Sequence, residues 1–209
     1  MSKTLHPVML GIGFTAALFA NPAAFAAGPG SELSSGVYVT RPLLPSLSSA
    51  DSNSLSVGVF APVLHDSLAG VTEQLFFDCV PGTGLVSLGG QSQFADYIRS
   101  ALIEQLALAD IYAAGSAVQL TGELQQVELF LDQVAGQQSA RGTWQFQLAL
   151  QSSLGGGEVF AIDYSYPIAN YAKYCEEMAS QFMKGVQALM SEILGSEEFA
   201  ELLRRRDET

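Results

Sequence analysis

The chain has 209 residues, 21 acidic against 9 basic, giving a formal net charge of −12, and 48% of it is hydrophobic. So acidic a surface repels phosphate backbones, which argues against nucleic acid as a partner. With two cysteines and two histidines, no Cys-x-x-Cys or paired histidine supplies metal ligands at workable spacing, and no metal site is expected. No cofactor is expected.

Residues 1–26 carry Lys3, an apolar run from Val8 to Phe19, the breaker pair Asn21-Pro22 and the small-residue triplet Ala24-Phe25-Ala26. A charged start, a short apolar middle and an A-x-A-like end form the pattern of a secretory signal peptide cleaved near Ala26. The run is too short to span a bilayer, and no later run approaches the length required. The expected location is therefore the periplasm, where disulfides persist.

Residues 27–53 form a Gly/Ser/Pro-rich lead with the composition of a flexible segment. It holds two apolar islands, Val37-Tyr38-Val39 and Leu43-Leu44. These either pack as a stray strand on the parent domain or anchor a partner.

Residues 54–209 are expected to form a single domain. Leu55, Val57 and Val59 alternate with Ser54, Ser56 and Gly58, which predicts a strand ended by Pro62. A second short strand is expected over Glu73 to Cys79, before the turn Pro81-Gly82-Thr83-Gly84. Ser92 is placed to cap a helix running to about Ala113, with Gly115 as its stop. Its apolar stripe is Phe94, Tyr97, Ile98, Ala101, Leu102, Gln105, Leu106 and Ala109.

The period then changes from helical to two. Val118, Leu120, Gly122 and Leu124 form one alternation, and Gln125-Gln126 breaks its phase before Val127, Leu129 and Leu131 resume it. A doubled polar pair in such a run predicts a β-bulge that keeps one face buried. Trp144, Phe146, Leu148 and Leu150 make a second alternation, and Phe160, Ile162, Tyr164 and Tyr166 a third, flanking the Gly155-Gly156-Gly157 turn. Three such strands predict an antiparallel meander with one wet face.

A last long helix begins near Asn170 with Cys175, Met178, Ala179, Phe182, Val186, Leu189, Met190 and Ile193 on one stripe, and Gly195 ends it. Ser196 then opens a short helix with Phe199, Leu202 and Leu203 inward and Arg204-Arg205-Arg206 at its negative end. The predicted fold class is α+β: a mostly antiparallel sheet, made of the meander and one or two N-terminal strands, with two amphipathic helices packed on one face.

The even cysteine count in an exported chain predicts one bridge, Cys79 to Cys175. Two buried thiols packing as small apolar residues are the alternative.

Residues for catalysis are sparse. Gly90-Gln91-Ser92-Gln93-Phe94 has the start of a nucleophile elbow, but Phe94 stands where the final glycine lets strand and helix pack. His65-Asp66-Ser67 contains triad residue types as sequence neighbours, which do not make a triad by themselves. The glycines from Gly82 to Gly90 lack the lysine of a phosphate loop. The reading is non-enzymatic.

The order of strand, long helix, bulged three-stranded meander and closing helix resembles the small envelope proteins of the YajG, LptE and ABC-transport auxiliary lipoprotein group. Phe94-Ala95-Asp96-Tyr97-Ile98-Arg99-Ser100-Ala101-Leu102, Val118-Gln119-Leu120-Thr121-Gly122-Glu123-Leu124 and the helix through Met178 to Leu194 carry the resemblance. It implies an accessory of envelope transport or assembly. Those relatives usually carry a lipid-bearing cysteine directly after the signal peptide, where this chain has Ala27-Gly28, so any membrane attachment would come through a partner. The expected partner is an envelope protein, engaged by an edge strand or by Val37, Tyr38, Val39, Leu43 and Leu44. The alternative is a carrier holding a lipid or other apolar ligand between sheet and helices.

Overall fold

The computed structural model describes residues 31–33, 54–67, 70–73, 76–78, 85–88, 93–133 and 140–204. The elements in chain order are β1 (Ser31–Leu33), β2 (Leu55–Ala61), β3 (Leu64–Ser67), β4 (Gly70–Glu73), β5 (Phe76–Asp78), β6 (Leu85–Leu88), α1 (Phe94–Leu108), β7 (Val118–Gln133), β8 (Ala140–Ser152), β9 (Gly157–Ile168), α2 (Tyr174–Gly195) and α3 (Glu197–Leu202). The fold is α+β, built on a four-stranded open sheet in the order β2-β7-β8-β9. A smaller sheet β1-β6-β5 lies against α2 through β1, and β3 pairs with β4 as a hairpin.

The meander has the expected connections, with β7-β8 and β8-β9 both antiparallel. The bulge falls where the doubled glutamine predicts it. Register shifts between Leu124 and Gln126, so Leu124 and Val127 both stay buried while Gln125 is exposed.

The N-terminal strands add detail to the mostly antiparallel sheet. β2 joins β7 in parallel, making the sheet mixed, because α1 lies between the two strands in sequence and returns the chain in the same direction. β2 also carries its own bulge, between Val57 and Phe60. The phase flip buries Phe60 and turns Val59 outward, 77% exposed, where simple alternation would bury it. Among the described residues, the strand expected over Glu73 to Cys79 appears as β5, and Glu73 belongs to the β3-β4 hairpin.

The helices hold the expected stripes and have different ends. The N-cap of α1 is Gln93 and not Ser92, which lies outside the described residues, and the Gln93 side chain makes no cap bond. α1 stops at Leu108, well before Gly115. Asp110 takes the left-handed conformation, φ 59°, and the Ile111 and Asp110 amides donate to the Leu106 and Ala107 carbonyls at 3.1 Å each. This is a Schellman ending with buried Ile111 and Leu106 as its apolar pair. At the other end of the chain, Asn170 caps a 3-10 turn over residues 171–173, and Ser196 caps α3 by accepting from the Phe199 amide at 3.1 Å.

Candidate interaction surface

Both long helices pack on the same face of the main sheet, and the space between is filled with rings. Phe182 of α2 lies 5.0 Å from Trp144, 5.4 Å from Tyr97, 5.6 Å from Phe94 and 5.8 Å from Phe146, centroid to centroid. The Trp144 indole is fully buried and donates from Nε1 to the Met178 carbonyl at 3.0 Å, tying β8 to α2. Gly122 is the position the carrier reading would use as a cavity wall. The Phe60 ring lies over it, 2.7 Å from where a Cβ would stand. The rings therefore occupy the space between sheet and helices at these positions.

Neither long helix packs on the opposite face of the sheet. It presents Thr121, Glu123, Glu128, Gln145, Gln147, Asp163 and Ser165, with cross-strand bonds such as Thr143 Oγ1 to Ser165 Oγ at 2.8 Å. Val59, Phe130 (46% exposed) and Val159 (51%) stand exposed among them. A shallow depression of about 210 Å³ lies between Ala61, Glu123, Ala149 and Gln151.

The two edges of the sheet differ. On β2, the Leu55 amide donates to the Ile111 carbonyl and the Leu55 carbonyl accepts from the Ala113 amide, both at 2.8 Å. The next outward carbonyl, that of Val57, accepts from Arg99 Nη2 at 3.1 Å, and the Gly58 carbonyl at the bulge accepts from Arg99 Nε. This stretch of the edge is closed from within the chain.

On β9 the reverse holds. Ser152 donates to the Gly156 carbonyl across the hairpin, so pairs two residues apart from there, including Leu148 with Phe160 and Trp144 with Tyr164, exchange the ladder bonds. The alternate residues Val159, Ala161, Asp163 and Ser165 point their amides and carbonyls away from β8, and these groups have no partner among the described residues. All four residues are exposed. Pro167, next in that series, has no amide to offer.

Of the residues singled out from the sequence, Val37, Tyr38, Val39, Leu43, Leu44, Cys79 and Ser92 lie outside the described residues, as do residues 1–26. His65 lies in β3, opposite Thr72. Cys175 is half-buried in the first turn of α2 beside the core, and no cysteine is free among the described residues. No described helix is long and apolar enough to cross a membrane. Arg99 and the open edge of β9 were not singled out. The sequence signal for the edge is Pro167, a proline inside an alternating run, which marks an edge strand.

No family model matches the chain, and no curated protein does. Among solved structures it is similar to the crystal structure of protein XCC0632 from Xanthomonas campestris, of the family DUF330, at 15% identity and a TM-score of 0.43, over 72% of this chain and 86% of that one.

Proposed function

We propose that the protein is a non-enzymatic accessory of the cell envelope, exported to the periplasm by the signal peptide ending near Ala26, that works by binding another envelope protein. The observation that carries this reading is the one-sided packing of the sheet. The helical face is filled by interlocked rings, while the other face and the β9 edge stand exposed with polar groups, three exposed apolar side chains and unpaired backbone. Such a surface suits recognition by backbone addition and side-chain contact. A Cys79–Cys175 bridge belongs to the same reading, supported by the export signal and by the absence of a free thiol at Cys175.

The test is mass spectrometry of the protein purified gently from its native envelope, intact and then after mild cross-linking. The expected result is a chain starting at Ala27, two hydrogens light, cross-linked reproducibly to one envelope protein. A co-purifying lipid with no protein partner would move the assignment to a carrier. An intact leader with two free thiols would remove export.

A further inference from the structure

We infer that the outer edge of β9, from Val159 to Ser165, is a strand-addition site for an extended, basic segment of a partner protein. The inference rests on the accessory reading and names its surface. Three observations converge. The β2 edge is closed over Leu55 to Gly58 by the 111–113 segment and the Arg99 guanidinium, whereas the outward backbone groups of β9 from Val159 to Ser165 have no partner among the described residues. The outward groups of Val159, Ala161, Asp163 and Ser165 are evenly spaced, and those residues are exposed. Pro167 ends the donor series, so an added strand is limited to the stretch before it and its register is restricted.

Charge selects the occupant. Asp163 is the one ionised side chain in the outward series, and its cross-strand row runs through Gln145 to Glu128 with no cation in it. A lysine or arginine on the added strand beside Asp163 gains a cross-strand ion pair. A second copy of this chain would bring its own Asp163 and a further net charge of −12 to the same edge, which opposes self-pairing.

The probe is a synthetic octapeptide of alternating lysine and valine, with a glutamate-valine octapeptide as its control. Amide hydrogen exchange of the mature full-length protein is followed residue by residue. Millimolar lysine-valine peptide is expected to slow exchange at Val159, Ala161, Asp163 and Ser165 by about tenfold, with little change at β2. The glutamate peptide is expected to protect less. Ala161→Pro removes one outward donor without touching the β8 ladder, and should abolish the protection. Should that variant fold poorly, Asp163→Lys serves instead and should invert the preference between the two peptides. No protection in the native chain, protection undiminished in Ala161→Pro, or protection indifferent to peptide charge overturns the site. A dimer of the free chain in sedimentation that Ala161→Pro dissolves overturns the occupant. The probe needs no envelope partner, so a reproducible cross-linked partner alongside an inert β9 overturns this surface and leaves the accessory reading standing.

Discussion

Gly185 of α2 sits against the ring of Phe146 on β8, so closely that a Cβ at 185 would stand 2.8 Å from ring atom Cε2 and 3.3 Å from Cζ. Mid-helix glycine ordinarily costs about 1 kcal/mol relative to alanine. Here it lets the helix approach the sheet, and the ring cannot retreat freely because it packs on Trp144 and Phe182 at 6.1 and 5.8 Å. Gly185→Ala is therefore expected to destabilise, since overpacking costs about 1 to 3 kcal/mol and exceeds the gain in propensity. Urea unfolding measures the difference. Adding Phe146→Leu should recover part of the loss, a non-additivity that marks direct contact.

Arg99 supplies the second prediction. Its two bonds to the Val57 and Gly58 carbonyls are charge-assisted and part-buried, and they hold the bulge that turns Phe60 inward. Arg99→Ala should cost about 1.5 to 3 kcal/mol, the range for hydrogen bonds to charged groups. Arg99→Lys should recover little, because an ammonium lacks the planar fork that reaches two carbonyls. Unfolding midpoints and amide exchange in β2 are the readouts. An Arg99→Lys variant as stable as the parent would show that the charge alone suffices.

These two contacts mark how far the sequence could be read. The meander, the Gln125 bulge, the inward stripes of both long helices and the Ser196 cap are all local signals, carried by period and by residue type within a few positions. The bulge in β2 is not local. Its phase flip depends on Arg99, some forty residues later, and on Gly122, which leaves room for the Phe60 ring. The parallel pairing of β2 with β7 likewise depends on where α1 delivers the chain. For the same reason the candidate surface was only partly legible. Pro167 hinted that β9 is an edge, but nothing in the alternation of Leu55 to Val59 showed that the β2 edge is closed over Leu55 to Gly58.

Tyr166 bears on pH. Its hydroxyl is buried with no hydrogen-bond partner, and its ring lies over Gly142, where a Cβ would come within 2.6 Å. Burial first, then the neighbouring Tyr164 and Glu177, push its ionisation well above the ordinary tyrosine range. Burial raises Tyr97 and Tyr164 as well. The neutral form is thus favoured in the folded chain, and the unfolded chain releases these protons at lower pH. The contribution of these tyrosines to stability should be fully present below about pH 10 and be lost as pH rises beyond it. Tyr166→Phe removes an unsatisfied buried group, so it should gain about 1 kcal/mol at neutral pH and make the alkaline decline shallower. Thermal unfolding of both proteins from pH 7 to 11 tests this, and identical alkaline slopes would rule out Tyr166 as a contributor.

The ending of α1 offers a position where the residue present is not the one the backbone favours best. Asp110 occupies the left-handed C′ site of the Schellman motif at φ 59°, where glycine has no Cβ to strain. Aspartate tolerates this region better than most residues, because its short polar side chain can bond locally. The gain from Asp110→Gly is therefore modest, about 0.5 kcal/mol after the added freedom of the unfolded chain is counted. Asp110→Val should lose more than about 1 kcal/mol, since a β-branched residue is a true outlier there. The loss should appear locally too. The turn delivers Ile111 and Ala113 to Leu55 through two 2.8 Å bonds, so a strained ending loosens the first residues of β2. Faster exchange of the Leu55 and Ala113 amides in Asp110→Val, with β8 unchanged, would place the effect at this junction. Uniform loss across the sheet would assign it to the fold as a whole.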